Sequence, residues 1–289
     1  MLVAWTGALG CAAAHTNPSR MSETTRMTYT SAEGSRDFVV FRPASLPAKR
    51  EDRALVVMLH GCTQSATDMA HGTRMNAAAE VSGYLVVYPE QTAAAHPQKC
   101  WNWYTPAQYT RDHGEAALLA GLIDSVARAE GVSAQHVSLV GMSAGAAMAA
   151  NLGVAYPERY AALAMHSGIP ALAATDVAGA LVAMRQGIAD EDLLGARALV
   201  AMGTRARAIP VLVLHGSADK VVAPSNSRAT VRQWTIVNAG AAPVEAHLFE
   251  GVGHAWSGGS AAGTYTAPDG PDATGLIVEF LRRVGAITR

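Results

Sequence analysis

The sequence predicts an α/β protein built on a mostly parallel, doubly wound sheet, and three observations predict it. Five apolar runs, residues 54–59, 84–88, 137–140, 161–165 and 209–214, are continuous and do not alternate with polar positions. Strands buried on both faces of a parallel sheet have that pattern. Each run ends in small and polar residues: His60-Gly61-Cys62, Pro89-Glu90-Gln91, Gly141-Met142-Ser143, His166-Ser167-Gly168 and His215-Gly216-Ser217. Open α/β sheets bind ligands at that carboxyl edge. Finally, 289 residues at 50% hydrophobic composition fill a single large α/β core.

Taken in order, residues 1–26 read as a leader. Residues 1–14 are apolar and end in Ala12-Ala13-Ala14-His15, like the end of a signal peptide. They lack the basic segment that a complete signal needs, and Leu9-Gly10-Cys11 is only a faint lipoprotein signal. A single domain is expected over 27–289. Residues 27–31 and 37–41 open it as an antiparallel strand pair. After the strands at 54–59 and 84–88, Leu118, Leu119, Leu122, Ile123 and Val126 share one face of a helix that starts near Glu115 and stops at Gly131. The strand at 137–140 leads through a tight turn into a small-residue helix at 144–150. The Ala-rich stretch 171–205 reads as an inserted helical cap or as an ordinary flanking helix pair. Strands follow at 209–214 and 244–249. Asp272 caps a last helix whose stripe is Ile277, Phe280, Leu281 and Val284, closed by Gly285.

Composition also excludes classes of function. A net charge of −1 gives no electrostatic handle on nucleic acid or an anionic membrane. No apolar stretch is long and pure enough to span a bilayer. His60, His96 and His113 lack the spacing of a zinc site, so no metal and no cofactor are expected.

Ser143 lies in Gly141-Met142-Ser143-Ala144-Gly145, between a strand-like and a helix-like run. Strand, sharp turn bearing a serine, then helix is the nucleophile elbow of the α/β-hydrolase fold. A serine nucleophile needs a base, and the base needs an orienting acid. The chain order in this fold is Ser, acid, His, which selects Asp219 and His254, each in a loop just past a strand. Asp176, Asp190 and Asp192 fit caps or solvated helix positions better, His247 lies within a strand, and His215 precedes the acid. The turn at His60-Gly61-Cys62 and the residue after the nucleophile point to the N–H groups of Cys62 and Ala144 as an oxyanion hole. Trp103 and Trp256, near the oxyanion loop and the base, are expected to wall the pocket, with Trp101 in the core. Gln64 and Gln91 either orient a substrate hydroxyl or bond loops together. With Cys11 in the leader, Cys62 and Cys100 remain as an even pair. A disulfide between them is expected, pinning the oxyanion loop and implying an extracellular or periplasmic location.

The set Leu59-His60-Gly61-Cys62-Thr63-Gln64, Tyr88-Pro89-Glu90-Gln91, Cys100-Trp101-Asn102-Trp103, Gly141-Met142-Ser143-Ala144-Gly145 and Gly253-His254-Ala255-Trp256-Ser257-Gly258-Gly259 resembles the polyhydroxybutyrate depolymerase family of esterases, related to feruloyl and acetylxylan esterases. The resemblance runs from about residue 28 to the end. It implies Ser143 as nucleophile, Asp219 as acid, His254 as base, and Cys62 with Ala144 as oxyanion hole. The function expected is a serine carboxylesterase cleaving short-chain hydroxyalkanoate-type esters, small or polymeric, through an acyl-enzyme. Feruloyl or acetylxylan esterase, acyl transferase and an inactive binding protein on the same fold are the alternatives. Many secreted members carry a carboxy-terminal polymer-binding domain; here the sequence stops just after its last helix, so attack on crystalline polymer is not expected.

Overall fold

The computed structural model describes residues 21–287; the leader readings at residues 1–14, Cys11 included, lie outside them. Strands β1 (Glu23–Ser31) and β2 (Gly34–Arg42) form an antiparallel ribbon. β1 starts four residues before the expected domain start, with Glu23 paired to Arg42. Its Thr-rich, largely exposed sequence has no apolar run to announce it, which suits a sheet edge facing water. β2 pairs antiparallel with β4 (Leu85–Pro89). The remaining strands, β3 (Leu55–Leu59), β5 (Val137–Met142), β6 (Ala162–His166), β7 (Val211–Gly216) and β8 (Val244–Phe249), run parallel. The sheet order is β1-β2-β4-β3-β5-β6-β7-β8.

Side chains alternate across this sheet into two cores, as a period of two demands. Leu55, Val57 and Leu59 face one layer, while Val56 and Met58 face the other. The second layer holds α1 (Ala66–Thr73), α2 (Met75–Ser82) and α9 (Ala273–Arg283), through Met69, Ala79, Ile277 and Phe280. The first holds α4 (Gly114–Glu130), α5 (Ala144–Ala155), α7 (Glu191–Met202) and α8 (Ser225–Asn238), through Leu122, Met148, Met202 and Trp234. The short α3 (Pro106–Tyr109) leads into α4. Helices on both faces of a mostly parallel sheet, with an antiparallel pair at one edge, make this an α/β-hydrolase fold.

The stretch 171–205 divides in two. α7 packs on α5 and α8 as a flanking helix, with Leu194, Ala198 and Met202 buried. α6 (Val177–Gln186) buries only Ala180 and Ala183 and packs on α8. Among the described residues, no helix is long and apolar enough to cross a membrane.

Candidate active site

Ser143 links β5 to α5 with φ 55° and ψ −122°, a backbone conformation that costs energy for any residue bearing a Cβ. The neighbouring glycines make it possible. A Cβ on Gly145 would collide with the Leu59 carbonyl, and one on Gly141 with the backbone of Gly145. The Ser143 N–H donates to the His166 carbonyl at 2.9 Å, which ties the turn to β6.

Three strand-end loops then converge. His254 Nε2 lies 3.0 Å from Ser143 Oγ, and its Nδ1 lies 2.7 Å from Asp219 Oδ2. A carboxylate accepts, so Nδ1 carries the hydrogen and Nε2 is left to accept from the serine. Asp219 Oδ1 accepts from the N–H groups of Val221 and Val222, each at 2.9 Å. Burial by itself would raise the Asp219 pKa. The hydrogen bonds from His215 and His254 and the Val222 N–H outweigh it and hold the carboxyl well below the usual range. His215, fully buried, places Nε2 3.3 Å from Asp219 Oδ2 and 3.0 Å from the Val222 carbonyl. A carbonyl only accepts, so His215 Nε2 bears the hydrogen and the residue braces the acid. The other candidates stand apart: Asp176 and Asp190 cap α6 and α7, Asp192 pairs with Arg232, and His247 is exposed on β8.

At the end of β3, the Gly61 N–H donates to Gln64 Oε1 at 2.9 Å and the Thr63 N–H to the Gln98 carbonyl at 2.6 Å. The Cys62 N–H between them has no acceptor among the described residues. Ala144, the first residue of α5, has an N–H outside the helical ladder. A cavity of about 260 Å³ opens over Ser143, His254 and Cys62. Met142, Met184 and Val221 supply its apolar wall, and Thr63, Gln98 and Tyr265 its polar one.

The family described as Esterase PHB depolymerase matches residues 38–246. This chain belongs to that family. It is 33% identical over 196 residues to Poly(3-hydroxyalkanoate) depolymerase C of Paucimonas lemoignei, covering 67% of this chain and 46% of that protein. It is 27% identical over 206 residues to Acetylxylan esterase A of Emericella nidulans, covering 68% and 66%. With Feruloyl esterase B of Talaromyces stipitatus it shares 26% over 213 residues, covering 71% and 58%. The chain thus spans about half to two thirds of the length of these relatives. Its fold also matches the acetyl xylan esterase from Aspergillus awamori, with TM-score 0.69, 21% identity, and 80% of this chain and 94% of that one covered.

In this member of the esterase PHB depolymerase family, the Cys62 loop is held from behind. A Cys62–Cys100 disulfide ties it to the following segment. Trp101 Nε1 donates to the His60 carbonyl at 3.0 Å, and His60 Nε2 accepts the Gln91 N–H at 3.0 Å. Buried Glu115, at the start of α4, pairs with Arg36 at 3.1 Å. It also accepts from Gln91 Nε2, from the Asn102 N–H at 2.7 Å and from Asn102 Nδ2 at 2.9 Å. Gln91 therefore bonds loops together. Gln64 does so too, through Gly61 and Asp68, while one side of it lines the cavity. Burial lowers the pKa of His60 to about 4 and of His166 to about 3, keeping both neutral.

The two tryptophans are corrections, because neither lines the cavity. Trp103 is buried against Cys100, Ala144 and Ala147, behind the disulfide. Trp256, in the short strand β9 (Trp256–Ser257), points into the core, where Nε1 donates to Thr274 Oγ1 at 3.0 Å and the ring stacks on His166. An indole needs a partner for its N–H when buried, and Thr274 on α9 provides one. The wall residues are instead Met184, Val221 and Tyr265, which sequence reasoning missed. Met184 alone left a trace, in the i, i+4, i+7 spacing of Val177, Leu181 and Met184. Among the described residues no cluster of His, Cys, Asp or Glu is placed to hold a metal ion.

Proposed function

We propose that the chain is a serine carboxylesterase that hydrolyses short-chain hydroxyalkanoate-type esters through an acyl-enzyme. The observation that carries the reading is the relay from Asp219 Oδ2 through His254 to Ser143 Oγ, at 2.7 and 3.0 Å, opening into a cavity edged by free N–H groups. His254 Nε2 takes the Ser143 proton as Oγ attacks the ester carbonyl. The oxygen turns towards the Cys62 and Ala144 N–H groups as it gains charge, each such donor contributing about 3–4 kcal/mol to the transition state. His254 then returns the proton to the leaving alcohol. A water molecule, deprotonated by the same nitrogen, releases the acid. Asp219 keeps the imidazole in the required tautomer and offsets its charge during each transfer.

The substrate class rests on the depolymerase relative and on the cavity, whose small, largely apolar wall suits a short aliphatic acyl group. The acetylxylan and feruloyl esterase relatives favour a second reading, in which the acyl group is acetyl or feruloyl. The Cys62–Cys100 bridge fits an extracellular or periplasmic location. Kinetics on hydroxybutyrate oligomers, acetylated xylan and methyl ferulate decide between the readings. The account expects the highest kcat/KM on the hydroxybutyrate oligomers, and a higher value on either of the others would replace it.

A further inference from the structure

Two residues at the cavity mouth have positive φ without being glycine: Thr63 at 64° and Tyr265 at 51°. A β-branched residue such as Thr63 is rarely found there, and such outliers persist only where their surroundings enforce them. Both are enforced. Thr63 is fixed by its N–H bond to the Gln98 carbonyl and by the disulfide at the preceding residue. Tyr265 stands between two anchored neighbours. On one side, Asp68 accepts from the Thr264 N–H at 2.9 Å and from Thr264 Oγ1 at 2.6 Å. On the other, Thr266 in β10 (Thr266–Ala267) pairs with Trp256, and the Tyr265 carbonyl accepts the Trp256 N–H at 2.7 Å. The result places Thr63 Oγ1 and the Tyr265 hydroxyl 3.2 Å apart across the mouth, though Tyr265 is 46% exposed.

We infer that Thr63 and Tyr265 form the subsite for the alcohol portion of the ester, and that they donate a hydrogen bond to a neutral acceptor oxygen there, the next carbonyl of an oligoester. This rests on the serine esterase reading. The leaving oxygen must lie within hydrogen-bond reach of His254 Nε2 to collect its proton. The ring beside His254 is Tyr265, edge-on with centroids 6.4 Å apart, and Thr63 adjoins the oxyanion donor Cys62. The alcohol portion therefore leaves past this pair. Two hydroxyls bonded to each other use one hydrogen between them and keep one to give. Among the described residues no Lys or Arg lines the cavity, so the acceptor it suits is an uncharged ester carbonyl and not a carboxylate.

The test uses two substrates with the same butyryl group, one on methyl hydroxybutyrate and one on a secondary hexanol, which has matching shape but no acceptor. The readout is the ratio of their kcat/KM values in each variant relative to wild type, so that intrinsic lability cancels. Tyr265→Phe combined with Thr63→Val is expected to lower the ratio about fivefold, the usual effect of one hydrogen bond. Thr63→Ser, which keeps the hydroxyl, is expected to retain it. An unchanged ratio in the double variant overturns the subsite, even if both rates fall together, since that marks the pair as a loop staple only. The serine esterase reading is checked separately with p-nitrophenyl butyrate. Wild-type protein inert on that ester would sink the esterase reading and the subsite with it, whereas activity there with an unchanged ratio in the double variant sinks the subsite alone.

Discussion

The two sides of the cavity are built differently. On the chemical side, Ser143, His254, Asp219 and the Cys62 loop are held by buried hydrogen bonds, a disulfide and the Glu115 cluster. On the wall side, Met184 and Val221 come from a helix end and a loop with exposed apolar neighbours, among them Val177 and Leu181. A reacting group displaced by an ångström loses much of its rate, whereas a wall need only exclude water and fit an acyl chain. The chemistry therefore depends on exact placement, while the apolar wall depends mainly on the size of the side chains that line it.

That contrast can be broken at several depths. The largest effect is expected from Ser143→Ala and His254→Ala, each lowering kcat on p-nitrophenyl butyrate by at least about a thousandfold with the fold intact by circular dichroism. Asp219→Asn is expected to lose somewhat less, because the base is misoriented but present. Next comes the support. Glu115→Ala leaves Arg36 buried without its carboxylate, a loss of about 3–5 kcal/mol, read as a drop in Tm. Cys100→Ser removes a bridge closing 38 residues, with up to about 4 kcal/mol of stability at stake, and is expected to lower Tm and kcat together because the Cys62 N–H loses its anchor.

Acid should act on the same supports. His60 and His166 are neutral in the folded protein, with pKa values lowered from 6.5 to about 4 and about 3. Above pH 6.5 neither folded nor unfolded chain is protonated there, and no stability is lost. Below it, the unfolded chain takes up protons that the folded one refuses, so stability falls as pH drops towards 4, on the order of 3 kcal/mol from His60 alone. Asp219, held charged in the folded protein, adds to that slope only at about pH 4 and below, where the unfolded chain protonates it and the folded one does not. Chemical denaturation at a series of pH values measures it. The smallest effect is on the wall: Met184→Ala is expected to change kcat/KM by less than about tenfold, shifting the preference towards longer acyl chains.

The same contrast decided what the sequence could reveal. Buried parallel strands read as continuous apolar runs, and Gly141 and Gly145 are present because nothing larger fits, so the elbow was visible. Chain order singled out Asp219 and His254, which the structure brings to Ser143. β1 was only half visible, because an exposed edge strand carries threonines in place of an apolar pattern. Trp103 and Trp256 misled because proximity in sequence to Cys100 and His254 says nothing of which way a ring points. Tyr265 left no signal at all. Its place depends on Asp68, distant in sequence, which holds Thr264, and on the Trp256 N–H, which bonds its own carbonyl.

The central claim is that Ser143 attacks the ester while His254 takes its proton. Rapid acid quenching of wild-type protein mixed with p-nitrophenyl butyrate, followed by peptide mass mapping, tests it most directly. The account predicts a butyryl group on the peptide containing Ser143, formed in a burst with p-nitrophenol and absent from Ser143→Ala and His254→Ala. A butyryl group on any other residue, or a burst that survives Ser143→Ala, would contradict it.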